Sequence, residues 1–195
     1  RSVLVYTSDS GRRFEIAETP KPDPRPDQVL VRVKATSINF SDLSHGIGGK
    51  PQDKEPFTPG LDVAGTVEAV GSEVVNWEVG DHVLGLASRG AYAEFALIRR
   101  SLAYQPPKDM SLEEAASIPC VFLTAWYGLT KFAATKPGET VLIHAGGSGV
   151  GSKCDQRTVA RASVYWRSLH HCSRRVVLRA PQPCESDGRG HQARG

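Results

Sequence analysis

Apolar and polar positions alternate in short runs over the first hundred residues. In residues 28–36, Val29, Val31, Val33 and Ala35 fall on one side, and Arg32, Lys34 and Thr36 on the other. A period of two predicts a half-buried strand. Residues 62–70 (DVAGTVEAV) read as a second strand, stopped by Gly71. Gly80 and Asp81 turn the chain into a third at 82–86, and residues 91–98 (AYAEFALI) alternate again. The proline-rich stretch 20–27 cannot join a central ladder, because proline has no N–H to donate. Strands at this spacing with no helix between them predict a small antiparallel barrel or sandwich.

The period changes after residue 110. Ser111-Leu112-Glu113-Glu114 has the form of a capping box, in which serine and glutamate satisfy each other's backbone N–H groups. A helix is expected to start there and to break or kink at Pro119. Residues 121–134 predict a second helix, Lys136-Pro137-Gly138 its stop, and residues 139–144 a buried strand. The glycine-rich Ala145-Gly146-Gly147-Ser148-Gly149-Val150-Gly151 follows. Helix, turn, strand and glycine loop together are the entry to an α/β domain. Beyond Gly151 the pattern fades: residues 153–167 show no clean apolar stripe, and 180–195 is rich in Gly, Pro and charge. The pattern divides the chain into a β-rich domain at 1–110, the start of an α/β domain at 111–151, and an atypical basic tail at 152–195.

Composition sharpens the last boundary. The 195 residues carry a net charge of +3, but residues 151–195 hold nine Lys and Arg against three Asp and Glu. Three of the four cysteines, Cys154, Cys172 and Cys184, lie there too. The shift predicts a tail that is disordered or read from another frame. Its Cys154, His170, His171, Cys172 and Cys184 lack the paired spacing of a metal site. Its arginines come without an aromatic platform or folded motif, so no specific nucleic-acid binding is expected. The longest apolar stretch, 118–129, is too short to span a bilayer of about 30 Å. No secretory signal is visible at the N-terminus, which predicts a cytoplasmic protein, or a mitochondrial one if a targeting peptide precedes the sequence.

The glycine loop carries the most chemistry. Gly146-x-Ser148-x-x-Gly151 fits G-x-G-x-x-G with serine in the middle, and it follows a predicted strand. Such a loop lets the backbone approach a pyrophosphate and puts helix N–H groups against its charge.

Residues 1–151 resemble the medium-chain dehydrogenase/reductase superfamily, in its zinc-independent quinone oxidoreductase (zeta-crystallin-like) branch. The resemblance is carried by Ser37-Ile38-Asn39-Phe40-Ser41-Asp42, Pro59-Gly60-Leu61-Asp62-Val63-Ala64-Gly65, Val79-Gly80-Asp81-His82-Val83, Leu123-Thr124-Ala125-Trp126-Tyr127 and the strand and loop 141–151. It implies a GroES-like barrel followed by the start of a Rossmann domain that is incomplete in this chain. It also implies NADPH as cofactor, hydride transfer to a quinone or an α,β-unsaturated carbonyl, and a homodimer. Zinc members place a cysteine where Asn39 stands and Gly-His-Glu where Gly60-Leu61-Asp62 stands. Asn39 and Leu61 are not zinc ligands, so no metal is expected.

The resemblance makes Asn39 a neutral hydrogen-bonding group beside the nicotinamide or a substrate carbonyl; read locally, Asn39 caps a turn. Thr124 either lines the nicotinamide pocket or bonds its own helix. Gly146, Gly147, Ser148, Gly149, Val150 and Gly151 would hold the cofactor phosphates. Tyr92 and His45 are conceivable proton donors, and His144 reads as a packing residue. The alternative function is that of a non-catalytic GroES-like fragment that binds a partner through residues 111–134 or has no function.

Overall fold

The computed structural model describes residues 1–8, 11–42, 56–137, 139–158, 163–167 and 177–178. They form two compact units, Arg1–Leu123 and Thr124–Gly195.

The first unit is a closed four-stranded barrel with a hairpin. Strands β1 (Ser2–Ser8) and β2 (Gly11–Ala17) pair antiparallel with each other. Strands β3 (Gln28–Ala35), β4 (Asp62–Val70), β5 (His82–Ala87) and β6 (Phe95–Tyr104) close the barrel, every pair antiparallel. Closure removes exposed strand edges. The core is aliphatic and β-branched: Val29, Val31, Val63, Val67, Val83 and Ile98 are almost wholly buried. Of these, Val29 and Val31 are on the side the alternating pattern places inward, and β4 keeps the bounds expected of it.

Strand β6 differs from expectation. Residues 91–94 alternate like a strand, but their N–H groups bond Gly60, Pro59 and Arg1 carbonyls instead of a barrel neighbour. The ladder then runs on through Arg99 and Arg100, whose polar side chains conceal it in the pattern. The hairpin β1–β2 was not singled out by the pattern either.

Helix α1 (Leu112–Ala116) has the expected capping box. The Glu114 N–H donates to Ser111 Oγ at 3.2 Å, and the Ser111 N–H donates to Glu114 Oε2 at 3.0 Å. Ala115 and Ala116 pack with Ala64 and Leu84, which seats α1 on the barrel. The first compact unit therefore runs past residue 110, where the pattern changes, to Leu123. The expected break at Pro119 is present, since α1 ends at Ala116. Pro119 opens α2 (Pro119–Tyr127), where its missing N–H has no helical partner to lose. A π-helical turn (Gly128–Phe132) prolongs α2, in place of a single helix to residue 134.

In the second unit, β7 (Thr140–His144) leads through the glycine loop into α3 (Gly149–Thr158). Strand β8 (Ser163–Arg167) then pairs parallel with β7, and the short β9 (Val177–Leu178) pairs antiparallel with β8. The fading pattern beyond Gly151 predicts no clear helix there, while residues 174–179 (RRVVLR) could form a short strand, of which Val177–Leu178 pairs as β9. The structure forms a ten-residue α3 nonetheless, because capping and packing decide a helix more than a weak stripe does. Strand β7 is also less buried than its apolar sequence suggests: Ile143 is buried, whereas Leu142 is 60% exposed and His144 is exposed. His144 is therefore not a packing residue. A parallel strand is normally covered by helices on both faces, and among the described residues of this unit α3 is the one helix packed on β7.

Candidate functional site

Two groups of residues carry the site chemistry, one in each unit.

In the first unit the chain leaves β3 and bends along the start of β4. Thr36 Oγ1 donates to the Asp62 carbonyl at 2.6 Å, pinning the bend. Asp62 then faces inward with no exposed surface. Three donors converge on its carboxylate. Asn39 Nδ2 donates to Oδ2 at 2.8 Å, and the Ser37 hydroxyl donates to the same oxygen. The Cys120 N–H, in the first turn of α2, donates to Oδ1 at 2.7 Å. Burial pushes the Asp62 carboxyl above its ordinary range. The donors from Asn39, Ser37 and Cys120 oppose that rise, and the nearby charge of Asp42 adds to it.

Asp42 forms the second half of this network. It accepts from the Asn39 N–H at 2.8 Å and from the Tyr92 hydroxyl at 2.9 Å. Tyr92 also donates to the Ser37 carbonyl at 3.3 Å. Its phenol is pushed well above the usual range, first by burial and then by the hydrogen bond to Asp42. Through these two bonds Tyr92 braces the turn. The brace depends on Gly60, whose φ of +95° lies in the left-handed region. A Cβ at Gly60 would also run into the Tyr92 ring.

Asn39 itself is buried. Its amide nitrogen is spent within the protein, on Asp62 and on Ser37 Oγ at 3.3 Å. The turn that follows is closed by the Asn39 backbone, whose carbonyl accepts from the Asp42 N–H at 3.0 Å, and not by its side chain. His45 lies outside the described residues.

In the second unit the glycine loop makes a tight strand-to-helix turn. Ala145 takes φ of 52°, and its carbonyl accepts from the Ser148 N–H at 2.8 Å. Ser148 caps α3: its hydroxyl accepts from the Gly151 N–H at 3.0 Å, and its carbonyl accepts from the Ser152 N–H at 2.9 Å. Gly149 and Val150, as the first two helical residues, keep N–H groups that no helical carbonyl reaches. Gly151 lies against the loop so closely that a Cβ there would collide with the Ala145 carbonyl oxygen and come within 2.8 Å of Gly146 Cα. The last glycine is thus required by backbone contact. A pyrophosphate fits this arrangement, with free N–H groups at a positive helix end and no side chain at Gly147 or Gly149.

Thr124 is exposed on α2 and belongs to the second unit. Cys154 is partly buried within α3. His170, His171, Cys172 and Cys184 lie outside the described residues. The residues that sequence reasoning did not assign are Ser37, Asp62 and the Cys120 N–H. One signal was present: a carboxylate opening an otherwise apolar strand, as Asp62 does, needs buried partners.

Comparison with known proteins agrees with this geometry. Residues 25–108 match the alcohol dehydrogenase GroES-like domain. The human synaptic vesicle membrane protein VAT-1 homolog-like is 37% identical over 170 residues, covering 85% of this chain and 40% of that protein. The Escherichia coli quinone oxidoreductase complexed with NADPH superposes with a TM-score of 0.74 at 31% identity, over 85% of this chain and 52% of that one. The CurK enoyl reductase superposes at 0.70 with 30% identity, over 84% and 53%. The chain thus spans about two fifths of the length of its curated relative and about half of the solved ones. Over the part it spans, the chain carries the alcohol dehydrogenase GroES-like domain, and its structural neighbours are zinc-independent quinone oxidoreductases and enoyl reductases of the medium-chain dehydrogenase/reductase superfamily.

Proposed function

We propose that this chain is part of an NADPH-dependent oxidoreductase that delivers hydride to a quinone or an α,β-unsaturated carbonyl. The observation that carries the reading is the contact of Gly151 with the Ala145–Gly146 backbone, which leaves a side-chain-free cradle at the capped N-terminus of α3. NADPH, when bound, supplies the hydride. The chain's own residues supply orientation. Gly149 and Val150 N–H groups would hold the phosphates, with Gly146, Gly147, Ser148 and Gly151 shaping the loop around them. Thr124 is exposed and free to meet the cofactor. Asn39, held by Asp62, would fix the reacting end. Asn39 and Leu61 are not metal ligands, so the reading favours an electron-poor acceptor that needs no Lewis acid. A homodimer is part of this proposal by likeness to the family.

Titration of NADPH with the purified chain, followed by its oxidation on adding a quinone or an enone, tests it. Saturable binding lost in Gly151→Ala supports the reading. A folded circular-dichroism spectrum without binding contradicts it for this chain. That outcome would favour a non-catalytic module, for which the exposed edge-to-face pair Tyr127 and Phe132 offers a contact surface.

A further inference from the structure

We infer that Asp62 is a positioning residue that decides which end of the Asn39 amide faces outward, so that Asn39 offers its neighbour an acceptor and not a donor. The inference rests on the proposed cofactor reading only for the identity of that neighbour.

The argument is one of hydrogen-bond inventory. A carboxamide has two N–H donors on one end and an acceptor oxygen on the other. Asn39 Nδ2 sits 2.8 Å from Asp62 Oδ2 and 3.3 Å from Ser37 Oγ. Both donors are therefore spent inward. Turning the amide over would set its oxygen against the Asp62 carboxylate, acceptor against acceptor, inside the protein. Asp62 cannot turn away to relieve that contact. Its Oδ1 is tied to the Cys120 N–H and its Oδ2 also receives the Ser37 hydroxyl, with the residue fully buried. The backbone of Asn39 is fixed as well, by Asp42 Oδ2 on its N–H. The remaining polar atom, Oδ1, is the one Asn39 can present. Asn39 is largely buried, with 8% of its surface exposed.

The chemistry of the partner follows. A quinone or enone carbonyl is an acceptor and gains nothing from Asn39 Oδ1. A hydroxyl or an amide N–H does, and NADPH carries both, on its ribose and its carboxamide. Of the two partners the resemblance offers Asn39, the cofactor fits and the substrate carbonyl does not.

Nuclear magnetic resonance of the full chain, with its side-chain amides labelled, tests both steps. In the free protein the Asn39 amide protons should exchange roughly tenfold more slowly than those of an exposed asparagine, as a charge-assisted hydrogen bond requires. Asp62→Ala should abolish that protection, and Ser37→Ala, which removes only the 3.3 Å partner, should reduce it, while the barrel's backbone spectrum stays in place. Unchanged protection in both variants would overturn the role of Asp62. On adding NADPH, the Asn39 side-chain carbonyl carbon should shift while its amide protons stay protected. Movement of the amide protons with a still carbonyl would overturn the acceptor assignment. If NADPH does not bind at all, the cofactor reading fails, and the free-protein measurements still decide for or against Asp62.

Discussion

Replacing Asp62 with alanine should destabilise the barrel by about 2–4 kcal/mol. The figure follows from the groups the carboxylate satisfies. Three donors lose their acceptor: Asn39 Nδ2, the Ser37 hydroxyl and the Cys120 N–H. Each buried donor left unmade costs about 1–3 kcal/mol. Removal of a buried charge offsets part of this, since a carboxylate without exposed surface is itself costly to hold. Asp62→Asn keeps the shape and one acceptor oxygen. Its NH2 must then face either Cys120 N–H or the Asn39–Ser37 pair, so an intermediate loss is expected. Urea unfolding followed by circular dichroism measures both. The pH dependence adds a signature. Burial raises the Asp62 carboxyl above its unfolded value of 3.8. A raised carboxyl binds its proton more tightly in the folded state. Its stabilising contribution is therefore full below the unfolded value and is lost as pH rises through the folded one. Wild-type stability should decline through that window relative to Asp62→Asn, which cannot titrate. An Asp62→Ala variant within about 0.5 kcal/mol of wild type, or the same pH slope in Asp62→Asn, would refute the reasoning.

Other consequences are equally open to test. Gly151→Ala gains about 1 kcal/mol of helix propensity but forces a Cβ into the Ala145–Gly146 backbone, so NADPH binding should weaken by at least roughly tenfold in a fluorescence titration. Ser111→Ala removes the cap of α1 and should lower stability by about 1 kcal/mol in urea unfolding. Hydrogen bonds from Ser111 hold the Glu114 carboxyl below its usual 4.5, so the cap's contribution should be present above that pH and fade as pH falls through the lowered value. Gly60→Ala forces an L side chain into a left-handed backbone and against the Tyr92 ring, and should destabilise the barrel by about 1–3 kcal/mol in the same assay.

The barrel was legible because its core obeys a simple period. Val29 and Val31 sit on the apolar side of the alternating run and are buried, while Arg32 and Lys34 opposite them are exposed, although Leu30 between the valines is buried as well. The cap of α1 was legible because Ser111 and Glu114 are local partners. Strand β6 was harder, since residues 91–94 alternate like a strand yet bond Gly60, Pro59 and Arg1. Helix α3 was hidden for a different reason: its first turn is fixed by Ser148 and by glycine contact, and neither leaves an apolar stripe. The glycine loop could be seen as a phosphate site from its spacing. The Asp62 network could not, because Ser37, Asn39, Asp62 and Cys120 come from three separate stretches of sequence. Only the closed barrel and the seating of α2 bring them to one carboxylate.

Fluorescence titration of the purified chain with NADPH tests the central claim most directly. The account predicts saturable binding that is lost in Gly151→Ala while the circular-dichroism spectrum is kept. No binding by a chain whose spectrum shows the folded barrel and helices would contradict it.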